Sequence, residues 1–166
     1  MTAEPPEGDV KGEHRSPSSG ELVRRFYDEM WNQWRPEVAD EILAEDLVFR
    51  GTLDHIAGRA AFKAYMGLER RAFPDWHNQV DELFDLETRV ITRMTWSGTH
   101  LGPFRAIPAT GRRVVYPGAA FFSIERGRIR AAWIVGDTSS LWAALDRVPP
   151  AMPGPISNAS STGPIH

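Results

Sequence analysis

The chain has 166 residues, enough for one domain and too few for two. It carries 19 basic and 22 acidic residues; setting aside 1–19 (two basic, four acidic) and 149–166 (none) leaves 17 and 18. That near-balance is no footprint for nucleic acid or an anionic membrane, the absence of cysteine excludes disulfides and thiolate chemistry, and no apolar run approaches the ~20 residues of a membrane span.

Residues 1–17 carry Pro5, Pro6, Gly8, Gly12 and Pro17 among charges, with nothing to bury, so a disordered tail is expected there. They hold no apolar signal-peptide centre, which points to the cytoplasm. Ser18-Ser19-Gly20-Glu21 reads as a capping box. It opens a helix whose Leu22, Val23, Phe26, Tyr27, Met30, Trp31 and Trp34 recur at helical spacing. Pro36 ends that helix and opens a second, with Val38, Ile42 and Leu43 facing inward. Leu47-Val48-Phe49 is a short strand, broken by Gly51. A third helix runs from Gly58 to Phe73 and stops at Pro74.

The apolar period then changes to two. Strands are predicted at Val80–Leu86, Arg89–Thr99, Val114–Glu125 and Ile129–Val135. Residues 103–111 form a loop, and Pro117-Gly118 reads as a bulge in the third of these strands. Ser139–Asp146 is a closing helix. The stretch 149–166 is rich in Pro, Gly and Ser and uncharged, and a second disordered tail is expected there; its Asn158-Ala159-Ser160 sequon carries no weight without a secretion signal. The folded unit is therefore 18–148.

Helices first and an antiparallel meander afterwards mean an α+β domain, with a curved sheet wrapped around the N-terminal helices. Six Trp are many for this length. Tyr27, Met30, Trp34, Phe49, Met66, Trp96 and Tyr116 are expected to line or floor a cavity, and as a set they suit a flat or polycyclic ligand. No glycine motif for nucleotides and no nucleophile elbow is present.

Four segments resemble one family. They are Leu22-Val23-Arg24-Arg25-Phe26-Tyr27 with Trp31-Asn32, then Ala72-Phe73-Pro74-Asp75, then Ser97-Gly98-Thr99-His100 with Ile107-Pro108-Ala109-Thr110-Gly111-Arg112-Arg113, and finally Gly127-Arg128-Ile129 with Trp133 and Asp137. In order and spacing they are similar to the SnoaL-like polyketide (ester) cyclases of the nuclear-transport-factor-2-like superfamily. That resemblance implies a cone-shaped α+β fold, a homodimer through the outer sheet face, and a hydrophobic pocket for a small organic substrate. It further implies an intramolecular aldol closure that needs neither metal nor cofactor, with a pocket carboxylate as general acid/base.

In the aldol cyclases that the chain resembles, that carboxylate is an aspartate on the last strand, and its place, seven residues after Gly127, is Ile134 here. The pocket histidine's position is Ala120, and the polar residue of the first strand falls near Arg50. Ala120 and Ile134 thus become apolar substrate contacts. Asp137 is the nearest carboxylate to the aspartate's place; it either lines the pocket or caps the closing helix, for which Asp-Thr-Ser-Ser is good chemistry. Arg50 either points inward to a substrate carboxylate or enolate or to Asp137, or sits exposed on an edge strand. His100 either transfers protons or orients a loop. His55 and His77 have no partner at metal-ligand spacing, so no metal site is expected.

The function expected is ring closure or isomerisation of a polyketide-type intermediate. It would run either by acid/base chemistry of Asp137, Arg50 and His100 or by folding the substrate into a reactive shape. The alternatives are an epoxide-hydrolase-like hydration and a non-catalytic binding or dimerisation module.

Overall fold

The structure is a computed structural model that describes residues 16–146. Apart from the exposed Ser16 and Pro17, the tails expected at 1–17 and 149–166 lie outside the described residues, as does the sequon.

Helix α1 (Ser19–Arg25) begins where the capping box places it: the Ser18 hydroxyl accepts from the Glu21 N–H at 3.2 Å, and the Ser18 N–H donates to Glu21 Oε2. It does not run on as an α-helix to Trp34. The segment Phe26–Asn32 is π-helical. Its apolar residues come as adjacent pairs, Phe26-Tyr27 and Met30-Trp31, and the widened turn brings all four to the buried side. Trp34 ends it with a positive φ of 54°.

Helix α2 (Val38–Ile42) is a single turn, because Leu43 is already extended and starts strand β1 (Leu43–Arg50), which is longer than expected. A short edge strand, β2 (His55–Ala57), follows that the sequence does not announce. Then come α3 (Arg59–Ala72), β3 (His77–Leu86), β4 (Arg89–Thr99), β5 (Arg113–Glu125), β6 (Arg128–Gly136) and α4 (Thr138–Ala144).

The six strands form one curved sheet in the order β2-β1-β6-β5-β4-β3. All pairs are antiparallel except β1 with β6, so the sheet is mixed and not the pure meander expected. The expected bulge at Pro117-Gly118 is absent: β5 pairs continuously with β4 through Thr95↔Pro117 and Met94↔Gly118. Proline is tolerated there because its nitrogen faces the same side as its carbonyl, which accepts from Asp137 N–H at 3.0 Å, just past the end of β6. The register shifts lie instead at Leu43/Val48, Val80/Glu82 and Ser123/Ile124.

Two apolar clusters result. The larger packs α1, the π-helical turn and α3 on the sheet. Its aromatic centre is Phe26 against Phe122 at 5.3 Å between ring centroids, Tyr27 against Phe122 at 5.8 Å and Phe49 against Phe62 at 4.9 Å. The smaller joins the end of α3, the loop after β4 and α4, through Phe73, Phe104, Val114, Leu141 and Trp142. Trp76 and Tyr116 pack against both.

Candidate active site

A cavity lies at the seam between the two clusters. Phe26, Tyr27, Trp31, Phe49 and Trp96 line it from the larger cluster, Phe73, Phe104 and Leu141 from the smaller, with Trp76 and Tyr116 between. Its volume is about 90 Å³, below the range typical of small-molecule sites, so a bound molecule must also occupy the open mouth. The sheet supplies a flat wall. Asn78, Trp96 and Tyr116 are register partners across β3, β4 and β5, and all three face the cavity. The Trp96 indole can lie along that wall because Gly118 and Gly136 leave room: a Cβ on Gly118 would meet Trp96 Cζ3 at 2.2 Å, and one on Gly136 would meet it at 3.0 Å.

Five expected contacts do line the cavity: Tyr27, Phe49, Trp96, Tyr116 and Ile134. Four do not. Met30, Met66 and Ala120 are buried in the larger cluster, and Trp34 packs on Trp31 at 5.6 Å beneath Arg70.

The three expected chemical residues lie elsewhere. Asp137 is exposed and caps α4, its Oδ1 accepting from Ser139 N–H at 3.0 Å. Arg50 is exposed at the end of β1, in register with His55 and Trp133. It shares the outer face with Trp133 because strand residues alternate and its neighbour Phe49 is the inward one. His100 is buried and holds the loop after β4. Its Nδ1 accepts from Thr110 N–H at 3.3 Å, which puts the ring proton on Nε2. Its backbone N–H donates to Arg112 at 2.9 Å, and burial lowers its pKa.

One of two carboxyls that line the cavity is Glu69, in the last turn of α3. Among the described residues no donor is hydrogen-bonded to its side chain. Burial pushes its pKa up to about 7; the nearby Asp54 charge adds to the rise and the Arg105 guanidinium opposes it. The carbonyl end of a helix further disfavours a negative charge. Asp54 also lines the cavity, from the turn between β1 and β2, and is paired with Arg105, whose Nη2 lies 2.7 Å from both carboxylate oxygens.

Arg105 is presented by a strained turn. It and Ala106 both have positive φ, 47° and 63°, between Phe104 and Ile107, which exchange backbone bonds of 3.0 and 2.8 Å. Beside this group stand the phenols of Tyr65 and Tyr116, both raised by burial, with the Glu69 charge adding to each. Both are therefore neutral hydrogen-bond donors at neutral pH. The arrangement offers one carboxyl poised between its two forms, two phenols and a fixed ion pair in an aromatic pocket.

Glu69 has a sequence signal. Phe62, Tyr65, Met66, Glu69 and Phe73 fall at spacings of three and four, so Glu69 is an acid on the apolar stripe of its helix. Asn78 has one too, as a polar residue at an inward position of the Trp76, Asn78, Val80 alternation. Asp54 and Arg105 have none, since they meet only through two irregular loops.

Among the described residues, no group of three His, Cys, Asp or Glu side chains could hold a metal ion, and no helix is long and apolar enough to cross a membrane.

No curated protein matches the chain. Solved structures do. AclR of Streptomyces galilaeus, named as a candidate hydroxylase, superposes with a TM-score of 0.67 at 25% identity, over 77% of this chain and 95% of its own. IdmH of Streptomyces antibioticus, named as a candidate polyketide cyclase, gives 0.64 at 25%, over 75% and 96%. A candidate SnoaL-like polyketide cyclase of Jannaschia sp. CCS1 gives 0.72 over 83% and all of its own chain; at 22% identity it speaks for the fold alone. The model of the SnoaL-like polyketide cyclase family matches residues 21–145, nearly all of the described fold, and the chain belongs to that family.

Proposed function

We propose that the protein is a cofactor-independent cyclase that closes a ring on a polyketide-type intermediate held in the aromatic cavity, with Glu69 as the group that moves the proton. The observation that carries this reading is a single unpaired carboxyl, with a pKa near neutrality, facing an apolar pocket in a member of this family. A general acid/base works best when its pKa lies near the working pH.

For an intramolecular aldol step the balance is simple. Ionised Glu69 takes a proton from the carbon next to one carbonyl. The resulting enolate carbon attacks a second carbonyl of the same molecule, forming the C–C bond. The new alkoxide takes the proton back from the Glu69 carboxylic acid. The neutral phenols of Tyr65 and Tyr116 suit donation to the oxygens where negative charge develops. Asp54 is occupied by its pair with Arg105. Shape contributes as well, because the wall of Trp96 and Tyr116 presses a flexible chain towards a folded, reactive conformer.

The experiment is mass analysis of purified protein incubated with linear poly-β-keto thioesters. Cyclisation yields products isomeric with the substrate, or one water lighter where the aldol dehydrates. A product one water heavier replaces this reading with hydration, and an unchanged bound ligand replaces it with a binding module.

The family resemblance also leads us to propose a homodimer through the outer sheet face. That face bears an apolar row across four strands, Phe84, Ile91, Phe121 and Trp133, with Phe84 54% and Trp133 57% exposed. Sedimentation of Trp133→Glu beside wild type tests it; a wild-type monomer overturns it.

A further inference from the structure

Asn78 is a buried carboxamide in the cavity wall, and its orientation is fixed by chemistry. Asn32, the last residue of the π-helical turn, faces it. The Asn78 backbone N–H donates to Asn32 Oδ1 at 2.8 Å, and Asn32 Nδ2 donates to the Asn78 carbonyl at 2.9 Å. A backbone N–H can only donate and a backbone carbonyl can only accept, so the Asn32 amide cannot be reversed. The Asn78 side-chain atom 3.1 Å from Asn32 Oδ1 is then necessarily its Nδ2. Its Oδ1 is turned away from Asn32, and among the described residues no donor fills it. Three hydrogen bonds thus hold one carbonyl-type acceptor in an otherwise aromatic wall, in register with Trp96 and, beyond it, Tyr116.

We infer that Asn78 is a specificity-determining residue that accepts a hydrogen bond from a hydroxyl on a planar ring of the substrate, a phenol or an enol, and that Asn32 is the positioning residue that aims it. This rests on the cavity being the substrate site, as proposed above. A ring stacked on the wall and lacking a donor at that point leaves the carboxamide oxygen desolvated and unpaired, so the site discriminates against it.

Calorimetric titration with 2-naphthol and its methyl ether, 2-methoxynaphthalene, tests this on the full chain. The two probes share ring and shape, and only the first donates. Wild type should bind the naphthol about 5–10-fold more tightly, the usual size of one net hydrogen bond. In Asn78→Leu the ratio should fall to about one while the ether's affinity stays within roughly threefold. In Asn32→Ala the ratio should fall although Asn78 is intact, whereas a merely structural role for Asn32 would weaken both probes alike. Equal affinities in wild type, which needs no variant, overturn the inference, as does an undiminished ratio in Asn78→Leu. Binding of neither probe removes the cavity reading and this inference together, while binding of both without preference removes this one alone.

Discussion

Two helix ends each carry a carboxylate, and they behave in opposite ways. Asp137 sits at the start of α4, exposed, with its oxygen on a backbone N–H. Its surroundings are water and the backbone N–H groups that open a helix. Glu69 sits in the last turn of α3, beside Asp54, in an aromatic seam, with no donor of its own. Each of those surroundings favours the protonated form. The contrast teaches that placement, not residue type, decides which acid can exchange a proton at neutral pH. It also separates Asp137, which caps a helix, from Glu69, which faces the cavity.

The strongest way to break the comparison is to remove the proposed acid. Glu69→Gln should lower kcat/KM by about 100- to 10,000-fold, the range for loss of general acid/base catalysis. Steady-state pH profiles should also lose an inflection near 7. Retained turnover in Glu69→Gln would return the chemistry to substrate folding alone.

Stability against pH gives the next largest effect. The folded pKa of Glu69 is raised above its unfolded value of 4.5 to about 7. Its protonated form is the one the fold tolerates, so stability is full below about pH 4.5 and declines as pH rises through about 7. Glu69→Gln should be more stable than wild type at pH 8 by about 1–2 kcal/mol, reduced from the full linkage because the carboxyl still meets solvent in the cavity, and no more stable at pH 4. Urea unfolding at the two pH values measures this.

The other helix end should respond differently. Asp137→Ala should cost about 1 kcal/mol through loss of the cap, while the inflection in the rate profile stays where it was. A shift of that inflection would make Asp137 part of the chemistry. The smallest change is expected from Arg105→Gln. Removing the cation that opposes the rise should move the inflection to higher pH, with less than about tenfold change in rate at pH 7, since a part-exposed ion pair is worth little.

Much of the fold was legible. The capping box, the stripe on α3 and the period-two strands follow from local rules, and they place the helices, five of the six strands and the α+β class. The π-helical turn was not, because Phe26-Tyr27 and Met30-Trp31 fit an α-helical stripe nearly as well; only packing against the sheet selects the wider turn. Strand β2 was hidden because its pairing with β1 is long-range information that His55-Ile56-Ala57 does not carry. The apolar set for the cavity was half right. Periodicity identifies inward faces but cannot separate a residue that fills the core, such as Met66, from one that borders empty space, such as Trp96. The polar site was less legible still: Glu69 and Asn78 break an apolar pattern and can be found, whereas the Asp54–Arg105 pair is made by the meeting of two loops.

The Trp96 indole rests on two residues that have no side chain. In a library of random variants selected for turnover, Gly118 would come out as barren ground: even alanine there would collide with the indole and with the Val135 carbonyl, 2.3 Å away. Gly136, with looser spacing, would accept little more. Adaptation to a bulkier substrate therefore has a narrow route through this wall. It must replace the tryptophan first, and even then only Gly136 opens, because the Val135 carbonyl still blocks a side chain at Gly118.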